Sequence, residues 1–179
     1  MLQIRRATEL DATIIALLGR ITFSESHKEI VDDKVEFLAY LNKYFTIEKI
    51  KSELKDAKNF FWIAFFNDFP VGYAKLVSNS TSEFIDSDNV SRFERVYILN
   101  DFLHLKIGRQ LQDLVFKKAT ALKFDWIWLT VSVKNFRAIN FYQKNNYKDV
   151  GLIDFSIGNK KYDNTVFVKQ LASISNPKR

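Results

Sequence analysis

The segment from Glu94 to Leu111 combines a strand, a short loop and the start of a helix in a pattern that could bind an anion. Gly108 lies at the predicted opening of an amphipathic helix, and Lys106 and Arg109 flank it with positive charge. The first turn of a helix has backbone N–H groups without intrahelical partners and the positive end of the helix dipole. A pyrophosphate could therefore bind at this helix start. Many helices begin after a basic loop, so this pattern alone does not identify the ligand.

A second segment, residues 135–147, reads Asn-Phe-Arg-Ala-Ile-Asn-Phe-Tyr-Gln-Lys-Asn-Asn-Tyr. It resembles the second signature of the GCN5-related N-acetyltransferase (GNAT) superfamily, Asn-x-x-Ala-x-x-Phe-Tyr-x-Lys-x-Gly-Phe. The chain matches this signature at Asn135, Ala138, Phe141, Tyr142 and Lys144. Tyr147 replaces the final Phe and Asn146 replaces the usual Gly; Asn is a residue that tolerates a positive φ. The resemblance covers residues 94–171, and the chain before them fits the family in element order.

The resemblance implies acetyl-CoA as cosubstrate, with no metal. It implies that backbone groups of Val96, Tyr97 and Ile98 contact the pantetheine arm, and that Asn135 also contacts the cofactor arm. The residues implied to surround the pyrophosphate are His104, Leu105, Lys106, Ile107, Gly108 and Arg109. For His104, an exposed loop position without a role is the preferred alternative.

The loop before the helix departs from the family pattern. The family's phosphate loop reads Gln/Arg-x-x-Gly-x-Gly/Ala, and the corresponding positions here hold Leu103, Lys106 and Gly108. Glycine lets the backbone approach phosphates closely. We therefore expect weaker cofactor affinity, which the charge of Lys106 partly offsets.

The resemblance also implies that Tyr142 donates its phenolic proton to the departing thiolate, with plain ring packing as the alternative. An alkyl amine has a pKa of roughly 10, so deprotonating it at pH 7 costs about 4 kcal/mol, and a general base would help. Glu94 is the candidate base because strand alternation places it on the same face as Val96 and Ile98. A salt-bridging role for Glu94 is equally compatible, and the family's usual glutamate lies where this chain has Arg92. The chain has no Cys to carry an acyl group, so attack would be direct.

The elements that position these residues follow from hydrophobic periodicity and capping residues. Thr8, Asp32 or Asp33, and Thr46 are candidate caps of the first three helices. The predicted strands cover residues 2–7, 60–66, 71–78, 92–99, 126–133, 150–157 and 165–168, and two later helices cover residues 108–123 and 135–145. This order predicts a single α/β domain with a mixed, mostly antiparallel central sheet flanked by helices. The N-acetyltransferase domain would cover residues 1–171, and residues 172–179 would be a short C-terminal tail.

Composition restricts the partners. The chain has 179 residues, a net charge of +6 and no Cys, so we expect a cytoplasmic protein without disulfides. A basic balance favours anionic partners, but the lysines are dispersed, which favours a solvated surface over a nucleic-acid patch. We therefore expect a small-molecule amine substrate, no nucleic acid and no membrane. A homodimer is compatible with the sequence, which does not fix the oligomeric state.

The acceptor amine is the least determined feature. The run from Phe155 to Gly158, followed by Asp163, resembles the bacterial branch of the superfamily that acetylates spermidine and spermine. An acidic loop containing Glu83, Asp86 and Asp88 could attract such a polycation, so a polyamine or another small amine is expected. The alternatives are a protein N-acetyltransferase and a non-catalytic acetyl-CoA-binding domain of the same fold. A basic nucleic-acid-binding module is a third alternative, which no motif supports.

Overall fold

The computed structural model describes residues 1–171, which form a seven-stranded sheet with helices on both faces. The strand order is β1-β2-β3-β4-β5-β7-β6. The strands are β1 (Leu2–Arg6), β2 (Asn59–Phe66), β3 (Phe69–Val77), β4 (Val90–Ile98), β5 (Trp126–Ser132), β6 (Lys148–Ile157) and β7 (Lys160–Gln170). The helices are α1 (Ala12–His27), α2 (Lys34–Tyr44), α3 (Ile47–Lys55), α4 (Ile107–Ala121) and α5 (Phe136–Lys144). The predicted α/β fold is confirmed, and the predicted tail, residues 172–179, lies outside the described residues.

The first three helices begin where the capping residues indicate. The Thr8 backbone N–H donates to Asp11 at 2.8 Å in a short 3₁₀ turn before α1. Asp33 accepts hydrogen bonds from the first turn of α2, and the Thr46 hydroxyl accepts one from the Lys49 N–H. The caps at Asp33 and Thr46 satisfy helix N–H groups that lack an intrahelical partner, whereas the bond at Thr8 satisfies the N–H of the cap residue itself.

The two faces of the sheet bury different clusters. One face, here called the α4 face, packs against α4 and α5 through residues such as Phe93, Leu129 and Phe167. The opposite face, here called the α1 face, packs against the first three helices and the loop before β4. Its rings include Tyr73 and Tyr97.

Strands β4 and β5 separate soon after they meet. They are the parallel pair within residues 1–171, and their register covers Val90 to Arg92 of β4 against Trp126 to Trp128 of β5. Beyond Arg92, β4 stays paired with β3, and β5 continues along β7. The carboxyl ends of the two parallel strands therefore diverge and leave a crevice in the sheet.

A β-bulge in β4 overturns one prediction. The pairing with β3 shifts between Lys75, opposite Arg95, and Leu76, opposite Phe93, which leaves Glu94 as the extra residue. A bulge reverses the alternation of side chains beyond it. Val96 and Ile98 pack on the α4 face, whereas Glu94 contacts Lys75 beside the α1 face. Simple alternation was wrong here, and Glu94 does not share a face with Val96 and Ile98.

The closing hairpin is longer than predicted. Strand β7 spans 11 residues, whereas the sequence predicts a strand over residues 165–168. The polar run that precedes Thr165 pairs with β6 as far as the turn at Gly158, where φ is 58°. Polar residues on an edge hairpin give a weak strand signal because few of them are buried.

No helix among residues 1–171 has the length and hydropathy to cross a membrane.

Candidate active site

The crevice between β4 and β5 opens at the carboxyl ends of these strands. Ligands of open α/β sheets bind at such positions. Within the described chain, β4 has no strand partner on its β5 side after Arg92, so backbone groups of Val96, Tyr97 or Ile98 on that side are available to a ligand. A cavity of about 280 Å³ lies at this end of the sheet. Its lining residues are Glu25, Ser26, Ile30, Asn100, Lys134, Asn135 and Arg137.

Helix α4 begins beside this crevice without a side-chain cap, so far as residues 1–171 show. By contrast, side chains of Asp33, Thr46 and Asn135 cap α2, α3 and α5. The first N–H groups of α4 are therefore available to an anion, together with the positive end of the helix dipole. Ile107 is fully buried, backbone included, whereas Gly108 is half-buried and Arg109 is exposed, so a ligand could reach the helix start at Gly108 and Arg109.

The residues around this helix start have different environments. Lys106 has φ of 56°, the left-handed conformation that glycine adopts without strain, and its side chain is exposed. Arg109 donates to Asn145 Oδ1 at 2.9 Å and to Asp113 Oδ1 at 3.3 Å, so its guanidinium is held at the end of α5. His104 is exposed in the 3₁₀ helix Asn100–Leu105, and Leu105 packs against the core of the α4 face.

Asn135 caps helix α5, a role that was not predicted from the sequence. Its Oδ1 accepts a hydrogen bond from the Ala138 N–H at 3.1 Å and so caps α5. The signal was present in the sequence, because Asn immediately before a helix is a preferred N-cap. The residue also lines the cavity at the crevice, so a cap and a ligand contact are compatible.

Tyr142 projects from α5 into the core of the α4 face and is 6% exposed. Its ring lies 5.3 Å from that of Tyr147 and 5.9 Å from that of Phe167. Burial raises the pKa of the Tyr142 phenol well above its usual value, and the neighbouring Tyr97 raises it further. Tyr142 is therefore protonated at neutral pH.

Glu94 belongs to a group of four charged side chains with Glu53, Lys75 and Arg95. Lys75 Nζ lies 2.5 Å from Glu94 Oε2 and 3.0 Å from Glu53 Oε2. Burial alone would raise the pKa of Glu94, but the charges of Lys75 and Arg95 outweigh it and hold that pKa below its usual range. Glu94 is therefore ionised at neutral pH.

Three further polar groups on the sheet or its closing hairpin were not predicted as site residues. Arg92 Nε, the Tyr162 hydroxyl and Asn164 Oδ1 are buried, and each lacks a hydrogen-bond partner among the described residues. The guanidinium of Arg92 lies over the Trp128 ring, 4.5 Å from its centre. Buried polar atoms without partners are uncommon in folded proteins and are often found where a ligand binds. Their positions in the sequence gave no signal, since two of them lie in the part of β7 that was not predicted.

A separate acidic cavity of about 400 Å³ lies at the outer edge of the sheet. Its lining residues are Glu83, Leu152, Ile153, Asp154 and Asp163. Asp154 and Asp163 lie opposite each other in the β6–β7 register, and Lys161 is paired with Asp154 at 2.7 Å. Glu83 is the residue of the predicted acidic loop that lines this cavity.

Residues 1–171 contain no group of three or more His, Cys, Asp or Glu side chains that could hold a metal ion.

Comparison with known proteins places this geometry among acetyltransferases. Residues 24–147 match the model of the acetyltransferase (GNAT) family. An N-acetyltransferase from the pepI 3′ region of Lactobacillus delbrueckii subsp. lactis is 28% identical over 142 residues, which are 78% of this chain and 80% of that protein.

Solved structures show the same fold. The PaiA N-acetyltransferase of Thermoplasma acidophilum, solved in complex with coenzyme A, superposes with a TM-score of 0.75 at 20% identity, over 95% of this chain and 99% of that one. A GCN5-related N-acetyltransferase from Rhodopseudomonas palustris gives a TM-score of 0.73 at 19% identity, over 94% and 95% of the two chains.

Proposed function

This chain belongs to the acetyltransferase (GNAT) family, and from that premise we propose that it transfers the acetyl group of acetyl-CoA to a small primary amine in the crevice between β4 and β5. One observation carries the proposal. The unpaired edge of β4 and the uncapped start of α4 lie at the same end of the sheet. Such an edge can bind an extended amide-containing arm, and such a helix start can bind its pyrophosphate.

The cofactor residues keep the roles that the resemblance implies. Val96, Tyr97 and Ile98 would supply backbone hydrogen bonds to the pantetheine arm. The α4 start would bind the pyrophosphate through the N–H groups of Gly108 and Arg109, with the charge of Lys106 beside them and Ile107 packed beneath the site. The Arg109 side chain is engaged with Asn145, which favours a backbone role for this residue.

The ammonium form of the amine loses two protons in the reaction, and the departing sulfur gains one. The first proton leaves before the nitrogen attacks the thioester carbonyl; the N–C bond then forms, the C–S bond breaks, and the second proton leaves the nitrogen as the amide forms and would restore the tyrosinate to the phenol. Tyr142, kept protonated by burial, would give its proton to the thiolate. Glu94, kept ionised by Lys75 and Arg95, would accept the proton of the amine directly or through water. Tyr142 lies on the α4 face of the sheet and Glu94 lies beside the α1 face.

We further propose that polyamines and other small amines are better acceptors than protein lysines. The acidic cavity supports this, because Glu83 and Asp163 offer carboxylates to a second ammonium group. The net charge of +6 would repel a polycation at long range. Screening reduces that repulsion beyond about 8 Å at physiological ionic strength, so nearby carboxylates can dominate.

A side-by-side assay tests both statements. The protein is incubated with acetyl-CoA and either spermidine, a monoamine or a lysine-containing peptide, and the released thiol is measured. We expect turnover with small amines and faster turnover with spermidine. Turnover with the peptide alone would contradict the small-amine assignment, and no turnover with any acceptor would contradict the catalytic one.

A further inference from the structure

A compact group of four charged side chains, three of them nearly buried, joins helix α3 to strands β3 and β4. Lys75 and Glu53 are 5% and 9% exposed at their side chains, and Arg95 is 10% exposed. Arg95 donates to both carboxylate oxygens of Glu53, at 2.9 and 3.2 Å. Glu94 is the most accessible member at 24%, and it lies at the bulge.

The ammonium of Lys75 acts on both carboxylates: it donates a hydrogen bond to Glu53 Oε2 and forms an ion pair with Glu94 Oε2. Glu53 already has a two-point partner in Arg95, and Lys75 lies closer to Glu94, at 2.5 Å, than to Glu53, at 3.0 Å. The Lys75 ammonium also lies 5.5 Å from the centre of the Phe61 ring, inside the protein. Water screens this ammonium little, so its effect on a neighbouring carboxylate is large.

Other titratable groups around Glu94 come from every element packed against it. They are Tyr40 of α2, Glu53 of α3, Tyr73 and Lys75 of β3, and Arg92, Arg95 and Tyr97 of β4. The three phenols are neutral at physiological pH because burial raises their pKa values. Arg92 stacks on Trp128, and Arg95 is turned to Glu53. Lys75 is therefore the cation in closest contact with Glu94.

We propose that Lys75 is a positioning residue for acetyl transfer, whose ammonium pairs with the Glu94 carboxylate and holds it at the bulge of β4. The inference rests on the proposed role of Glu94 as proton acceptor. In physical terms, burial makes an isolated carboxylate at this position take up a proton more easily. Lys75 reverses that tendency, so Glu94 stays able to accept a proton down to lower pH.

The test compares the wild type with Lys75→Met, which keeps an unbranched side chain and removes the charge. The pKa of Glu94 is measured by NMR of ¹³C-labelled glutamate carboxyls, assigned with Glu94→Gln. We expect the pKa to rise in Lys75→Met by about one unit or more, a tenfold or greater change in proton affinity. The acidic limb of kcat/KM should move to higher pH by the same amount. A weakly basic acceptor amine keeps the titration of the acceptor itself out of this range.

Two further variants distinguish the effect of the contact between Lys75 and Glu94 from the effect of the total charge of the protein. Lys75→Arg should restore the wild-type pKa and pH profile. Lys49→Met removes a cation that pairs with Glu53 at 3.5 Å but is 45% exposed, and it should leave both unchanged. The proposal would be overturned if the Glu94 pKa shifted equally in Lys49→Met and Lys75→Met. It would also be overturned if the Glu94 pKa of the wild type were at or above 4.5, the ordinary value for a glutamate. The wild-type measurement remains a test even if Lys75→Met fails to fold. An unchanged kcat/KM in Glu94→Gln would instead overturn the catalytic role of Glu94, while the NMR comparison still tests Lys75.

Discussion

Arg95 donates two hydrogen bonds to the Glu53 carboxylate, from Nη1 to Oε2 at 2.9 Å and from Nη2 to Oε1 at 3.2 Å. The two residues are 42 positions apart in sequence, so this pair attaches α3 to the strand that borders the crevice. Two-point pairing fixes orientation as well as distance. The bulge and the first helices are thereby held in one arrangement.

Glu53→Gln should destabilise the protein strongly. Removing one partner leaves the buried cations Arg95 and Lys75 undercompensated, and breaking a buried pair costs about 3–5 kcal/mol. The free energy of unfolding from urea titration measures the effect. Glu9→Gln is the matched control, because Glu9 pairs with Lys55 at 3.6 Å on the exposed surface. Exposed pairs contribute about 0–1 kcal/mol, so equal losses in the two variants would contradict the assignment.

Tyr142→Phe should reduce kcat while the Kd for acetyl-CoA stays nearly constant. The ring and its packing remain, and the proton donor is lost, which typically lowers a rate by about 10²–10⁴-fold. Steady-state kinetics and calorimetric titration give the two quantities. Tyr147→Phe is the control, since it removes a neighbouring buried hydroxyl that has no hydrogen-bond partner within the described structure. If both variants turn over like the wild type, the phenol of Tyr142 takes no part in the rate-limiting step.

Variants of Asn135 can separate its cap from its proposed contact with the cofactor. Asn135→Ala loses the hydrogen bond to Ala138 and should destabilise the fold by about 1 kcal/mol. Asn135→Asp keeps an acceptor at the cap, so its stability should match the wild type, but it replaces the amide donor with a negative charge. We expect weaker acetyl-CoA binding in both. Thermal unfolding without cofactor measures the change in stability, and the increase in melting temperature on adding acetyl-CoA measures its binding. If Asn135→Asp binds acetyl-CoA as tightly as the wild type, Asn135 acts only as a helix cap.

The buried His27 ring should make the protein less stable in acid. The ring stacks on Phe23 with 4.0 Å between centres, and burial lowers its pKa to about 4. The unfolded chain, with a pKa of about 6.5, binds the proton more readily between these values, so stability falls as pH drops from about 6.5 to about 4. The expected loss is on the order of 3 kcal/mol. Urea titrations at pH 7 and 4.5 should show a smaller difference in His27→Gln than in the wild type.

Local signals in the sequence predicted most of the elements. Asp33 and Thr46 act through hydrogen bonds to residues two or three positions away, so the starts of α2 and α3 could be read directly. The sequence also predicts a hairpin turn over residues 67–70. Asn67 and Asp68 form it with positive φ, 48° and 66°, as the favoured hairpin turns require, but β3 already begins at Phe69. The predicted positive φ of Asn146 is likewise confirmed, at 61°.

Features set by pairing between distant strands could not be predicted in this way. The bulge at Glu94 depends on how β4 registers with Lys75 and Leu76 of β3, which a single strand does not encode. The left-handed Lys106 could not be predicted either, although it lies in no strand, since a lysine carries no local preference for φ of 56°. Here the connection from the 3₁₀ helix to α4 sets the backbone, and the chain accepts strain where the family has glycine.

The short junction between β4 and β5 has a consequence for how the chain folds. Strands β2, β3 and β4 pair with sequential neighbours across short connections, as do β6 and β7, whereas the junction pairs Val90 with Trp126 on either side of α4. Non-local pairing costs loop-closure entropy before it gives contacts in return. We expect the two groups of strands to form first and the junction to form after the transition state. Weakening it, for example by removing the Ser91 hydroxyl that donates to the Trp126 carbonyl at 3.3 Å, would then accelerate unfolding and leave the folding rate unchanged.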